Sequence, residues 1–208
     1  MQIPAPPARP EAILIATTNA GKLHEIRHGL AGLPVRWRSL GDFPGMEAPI
    51  EDGATFEENA AKKASYYARR TGIWALADDS GLEVEALGGE PGVWSARYAG
   101  PGARDAANNQ KLIRALAAVP SDQRQARFRC VMALASPTGI ATTTTGTVEG
   151  LILDEPRGRN GFGYDPHFFV PGLGKTLAEL ASSAKNEISH RGKALRILRS
   201  WLIQNREE

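Results

Sequence analysis

The chain has 208 residues, 42% of them hydrophobic, which supports one well-formed core and fits one domain better than two. Charged residues make up 23% with no long block of one sign, and the net charge is only +2. That balance argues against a dedicated nucleic-acid binder and leaves room for a small anionic substrate met by a few placed lysines and arginines. The lone cysteine, Cys130, excludes an intrachain disulfide, and no apolar run approaches the roughly 18 residues of a membrane helix.

The N-terminal stretch MQIPAPPARPEA carries four prolines and no signal-peptide core, so residues 1–11 read as a flexible leader and the protein as cytoplasmic, without a membrane partner. Order begins at AILIA (12–16), an apolar run suited to a buried strand. TTNAGK follows directly, and Leu23, Ile26 and Leu30 then fall at helical spacing. VRWRSL is a second strand. Thr55 and Glu58 match a capping box, and FEENAAKKASYYARR runs helically to Gly72. IWALA (73–77) is a strand that ends at Asp78 and Asp79, with Ser80 and Gly81 turning the chain into a glycine-rich loop. A helix is predicted over 105–118. ARFRCVMALA and IATTTTGTVEG form a hairpin about SPTG, HFFV is a further strand, and the last 30 or so residues are helical, with Leu195, Leu198, Trp201 and Leu202 on one face. Interleaved helices and strands with a hairpin predict an α/β fold on a mixed sheet.

Several segments carry chemistry. TTNAGK sits where a strand hands over to a helix, where unpaired N–H groups and the helix dipole favour anions. Thr17, Thr18 and Asn19 add hydrogen bonds and Lys22 a full charge, with Gly21 a further candidate in the loop; the same residues also read as an ordinary turn capped by Asn19. It is not a Walker A loop. Asp78 and Asp79 supply the oxygen ligands that Mg²⁺ prefers, with further carboxylates at IEDG (50–53) and Glu58, or they end a strand in water. In GFGYDP, Phe162 or Tyr164 stacks on a base and the glycines allow close approach, or the aromatics belong to the core. KNEISHRGKA gathers Lys185, His190, Arg191 and Lys193 as donors to a carbonyl-rich ring, or forms a solvated helix face. His24, His28 and His167 show no metal spacing.

The segments TTNAGK, EDGATFEENAAKKA, ALADDSGLEVEALGGEPGVWSARYAG, GFGYDPHFFVP and SSAKNEISHRGKAL occur in this order over about residues 12–203. In this the chain resembles the inosine/xanthosine triphosphate pyrophosphatases, the Ham1-like enzymes that act on noncanonical purine nucleoside triphosphates. The resemblance implies Mg²⁺-dependent hydrolysis of ITP, dITP and XTP to the monophosphate and pyrophosphate, which cleanses the nucleotide pool. It implies a homodimer, and an elongated two-lobed fold around a long mixed sheet with flanking helices and a nucleotide cleft between lobes. Residues 12–208 then form a single pyrophosphatase domain. By motif, Thr17, Asn19 and Lys22 fall on the phosphate loop, Asp79 on the catalytic acidic residue and metal ligand, and Ser80 on a substrate contact. Glu51 is the best match to an upstream metal ligand. Phe162, Gly163, Tyr164 and Asp165 match the FGYD element, and Lys185, His190 and Arg191 the base-side donors. A nucleotide- or RNA-binding module without catalysis, and a pyrophosphatase for other modified nucleotides, are the alternatives.

Overall fold

A computed structural model of the chain describes residues 10–205; residues 1–9 of the expected leader lie outside them. Strand β1 (Ala12–Ile15) is the predicted apolar run, and Ile13, Leu14 and Ile15 are fully buried. It lies between two parallel neighbours, β2 (Arg36–Ser39) and β3 (Trp74–Val84), and a parallel strand covered on both faces is continuously apolar rather than alternating. Helices α1 (Ala20–Gly29) and α2 (Phe56–Thr71) supply the connections β1–α1–β2–α2–β3. The sheet has seven strands in the order β2-β1-β3-β4-β5-β6-β7, with β4 (Gln125–Ser136) and β5 (Gly139–Ile152) as the predicted hairpin. The short strands β6 (Phe168–Val170) and β7 (Lys175–Thr176) complete it antiparallel, so the sheet is mixed. Helices α3 (Asp105–Ala115), α4 (Ser182–Ile188) and α5 (His190–Gln204) account for the remaining helical segments.

The chain divides into two compact units. Among the described residues, the first takes 10–79, 131–144 and 195–205, and the second 80–130 and 145–194. In the first, Leu195, Leu198 and Leu202 are buried along α5, and α1 approaches so closely that a Cβ on Gly29 would lie 2.7 Å from Leu195 Cδ1. In the second, Leu82, Leu112, Phe128, Ile152, Tyr164 and Phe168 form the heart of the core.

Helix α2 shows how sequence sets the local structure. Thr55 Oγ1 accepts from the Glu58 N–H at 3.1 Å, as predicted, but Glu58 reaches back to the N–H of Ala54 at 2.7 Å rather than to that of Thr55. Gly72, at φ 70°, ends the helix in the left-handed conformation that glycine tolerates. Strand β3 differs from expectation. It does not stop at the paired aspartates but continues through Ser80 and Gly81 to Val84, and Asp78 and Asp79 are both buried within it. Adjacent carboxylates end a strand only where water must solvate them; here lysines from α1 and α2 take that part.

Candidate active site

In the first unit, β1 leads through Thr17–Asn19 into α1. Asn19 is the N-cap, its Oδ1 accepting from the Lys22 N–H at 3.0 Å, and Thr17 Oγ1 accepts from the Asn19 N–H at 3.2 Å. Thr18 is exposed, and Gly21 lies in the first turn of the helix. Lys22 Nζ reaches back to Asp78 Oδ2 at 3.0 Å. Successive strand residues point to opposite faces, and each aspartate here meets its own lysine. Lys63 Nζ, from α2, lies 3.4 Å from Asp79 Oδ1 and 3.0 Å from Glu51 Oε2. Glu51 is held within reach by Asn59, whose side chain accepts from the Gly53 N–H at 2.8 Å and donates to Gly53 O at 3.4 Å.

Lys63 and Asn59 escaped the sequence reading. A signal for both was present: Phe56, Asn59, Ala60, Lys63, Ala64 and Tyr67 fall on one helical stripe, and all are buried. A lysine and an amide on an otherwise apolar stripe need buried partners.

Three carboxylates and two ammonium groups set the electrostatics. Burial raises the Asp79 carboxyl above the ordinary carboxylate range; Lys63 and Lys22 oppose this, Glu51 adds to it, and the Asn59 amide slightly eases it. For Lys63, burial disfavours the charge, but attraction to Asp79, Asp78 and Glu51 outweighs it, so its ammonium is held above its usual pKa. The pair therefore keeps a charged lysine beside a carboxyl that protonates more readily than a free aspartate. Asp79 Oδ2 is buried and has no hydrogen-bond partner among the described residues. An orphaned carboxylate oxygen next to a second acidic side chain suits a hard divalent cation, which in nucleotide sites takes one or two carboxylates and fills its shell with phosphate and water oxygens. Among the described residues no group of three or more His, Cys, Asp or Glu side chains is arranged to hold a metal by itself.

In the second unit, Ser80, Phe162, Lys185 and Arg191 come together. Arg191 Nη2 donates to Ser80 Oγ at 2.8 Å, and the Arg191 side chain is almost fully buried. Lys185 Nζ donates to Asp165 Oδ2 at 2.6 Å and lies 4.8 Å from the centroid of the Phe162 ring, with Arg191 Cζ at 5.7 Å. Phe162 is half-buried. Of the four cationic candidates in 185–194, Lys185, His190 and Arg191 are thus buried, and only Lys193 is exposed.

Three further candidates contact the protein itself. The Tyr164 ring is buried in the core and its hydroxyl donates to Ser95 O at 2.8 Å. His190 is buried with its imidazole stacked on Phe128, centroids 4.8 Å apart and planes 12° from parallel. Asp165 is buried and works on the protein itself, accepting from Lys185 and from the Phe162 N–H. His167 is structural, its Nδ1 2.8 Å from Leu153 O.

A model of the Ham1 family matches residues 13–201. The chain belongs to the Ham1 family. It is similar to the dITP/XTP pyrophosphatase of Geobacter sulfurreducens, with 56% identity covering 91% of this chain and 96% of that protein. It is also similar to the dITP/XTP pyrophosphatase of Thermus thermophilus, with 53% identity covering 89% of each chain. The solved structure of a HAM1 protein from Coxiella burnetii superposes with a TM-score of 0.85 at 45% identity, covering 93% of this chain and 98% of that one. The two residue clusters of this Ham1-family chain fall on the segments quoted from its sequence.

Proposed function

We propose that this protein is a nucleoside triphosphate pyrophosphatase that hydrolyses ITP, dITP and XTP to the monophosphate and pyrophosphate and so cleanses the nucleotide pool. The observation that carries the reading is Asp79: buried, beside the charged Lys63, with one oxygen unpartnered, in a chain whose relatives bear the name dITP/XTP pyrophosphatase.

Lys22 and the N-terminus of α1 take the phosphate chain. An ammonium has three donors, so Lys22 can keep its bond to Asp78 and still donate to phosphate oxygens. Asp79 accepts a hydrogen bond from the attacking water and orients it toward the α-phosphorus, and Lys63 keeps the carboxylate from becoming too basic. Asp79 and Glu51 are the residues that would hold Mg²⁺, which when bound offsets charge on the phosphate oxygens. Phe162 stacks on the base. Lys185 and Arg191 are donors only, so they match the 6-oxo group of hypoxanthine or xanthine and clash with the 6-amino donor of adenine. Leaving one such buried donor unpaired costs about 1–3 kcal/mol. The same reading takes residues 12–208 as one pyrophosphatase domain, working as a homodimer in the cytoplasm. No helix among the described residues is long and apolar enough to cross a membrane.

The test is an assay of ITP with Mg²⁺ that detects pyrophosphate and orthophosphate separately, repeated with XTP, dUTP and GTP. Pyrophosphate alone, with ITP and XTP preferred, supports the proposal. Release of orthophosphate, or preference for dUTP, points to another nucleotide hydrolase, and binding without turnover to a binding module.

A further inference from the structure

We propose that Asp105 and Asn109 are positioning residues for base recognition, fixing the Phe162–Gly163 turn from one face of α3; the inference rests on the nucleotide reading above, which gives Phe162 a base to face. The two residues are four apart in α3 and so share a face one turn apart. Asp105 Oδ2 accepts from the Gly163 N–H at 2.7 Å, and Asn109 Nδ2 donates to Gly163 O at 3.0 Å. Both main-chain polar groups of one turn residue are thus held by side chains from an element more than fifty residues earlier.

Gly163 is where such a clamp has most effect. Its φ of 64° is left-handed, and glycine has more backbone freedom to lose than any other residue. The inner side of the turn has its own tie, since the Phe162 N–H donates to Asp165 Oδ2 at 2.9 Å, the oxygen that also accepts from Lys185. The α3 clamp holds the outer side. Between these ties sits the Phe162 ring, in contact with the Lys185 and Arg191 cations. If the outer tie is lost, ring and cations no longer keep a fixed spacing, so a stacked base loses its complementary donors. Asp79 takes no part in these bonds, so the effect falls on nucleotide binding and not on the hydrolytic step.

The experiment combines ITP kinetics, read as pyrophosphate, with hydrogen exchange of peptides covering residues 157–168 in Asp105→Ala, Asn109→Ala and Asp105→Asn. Each alanine variant is expected to raise KM about three- to tenfold with kcat within about twofold, the size of one lost hydrogen bond. Exchange in the turn should quicken in both. Asp105→Asn keeps an oxygen facing the Gly163 N–H and should restore most of the KM, which a merely helix-stabilising role for the charge would not do. If Asp105→Ala does not fold, Asn109→Ala carries the same test. Unchanged KM and exchange in the alanine variants, a loss of kcat at constant KM, or Asp105→Asn as impaired as alanine would each overturn the proposal. A wild-type protein that releases no pyrophosphate from ITP sinks the nucleotide reading itself, and turn protection unchanged on removing Asp105 or Asn109 would then overturn the clamp separately.

Discussion

Lys22 Nζ lies 3.0 Å from Asp78 Oδ2, so the lysine of the strand–helix turn is anchored by the first aspartate of the pair and not by the second. Asp78 is buried, whereas Lys22 remains partly exposed at 17% of its side chain. Removing the lysine leaves a buried carboxylate short of a partner. Breaking a buried pair costs about 3–5 kcal/mol, and the lower end applies because Lys22 is partly solvated. Lys22→Ala is therefore expected to lower the unfolding midpoint in denaturant. It should also raise KM for ITP and XTP by a common factor if, as proposed, the lysine serves the phosphate chain and not the base. Unequal factors in steady-state kinetics would move Lys22 out of that role.

Asp79 predicts a stability difference with a defined sign. Its folded-state carboxyl is raised above the ordinary value by burial, so its contribution is fully present below the usual aspartate range and is lost as pH rises through the raised value. In chelator-treated protein, Asp79→Asn should melt above wild type at neutral pH. The gap should close as pH falls toward the ordinary carboxylate range. Thermal melts over a pH series check this, and a variant that melts below wild type at neutral pH would contradict it.

Lys63 holds Asp79 down from a still higher pKa, because its charge opposes the rise caused by burial. Lys63→Met removes that opposition while keeping the apolar stem. The acid limb of the kcat/KM profile should move to higher pH, and activity at neutral pH should fall by at least tenfold. A profile with an unmoved acid limb would show that Lys63 does not act on Asp79.

Much of this was legible in the sequence, for identifiable reasons. The β1 run, the Thr55 cap, the Gly72 stop and the hairpin turn are local signals, and local chemistry decided each of them. What escaped was set by distant partners. Strand β3 passes through Asp78 and Asp79 because lysines 56 and 16 residues away in the chain neutralise them, which no local pattern of IWALADDSG reveals. Tyr164 and Phe162 look alike in GFGYDP, yet only the tyrosine hydroxyl finds a buried carbonyl, that of Ser95, 69 residues earlier. The motif order pointed to the candidate site residues, while their partners, such as Lys185 for Asp165 and Phe128 for His190, are visible only in the geometry.

Lys185 and Arg191 make a prediction about selectivity. Arg191→Met removes the donor to Ser80 and one cation beside Phe162, leaving Asp165 and Lys185 paired. The preference for ITP over ATP, measured as a kcat/KM ratio, should fall about ten- to a hundredfold, in line with about 1–3 kcal/mol for each donor that discriminates. An unchanged ratio would assign base choice to other residues.

The most direct measurement compares pyrophosphate release from ITP by wild type and Asp79→Asn, at saturating Mg²⁺ and neutral pH, with thermal melts to show that both are folded. Asparagine keeps the shape of the side chain but removes the charge that, in the proposed function, orients water and would hold the metal ion. The expected result is Mg²⁺-dependent pyrophosphate release by wild type and a kcat at least a thousandfold lower, of the order seen when an essential catalytic group is lost, in a variant that is folded. Turnover by Asp79→Asn within a few fold of wild type would contradict the assignment.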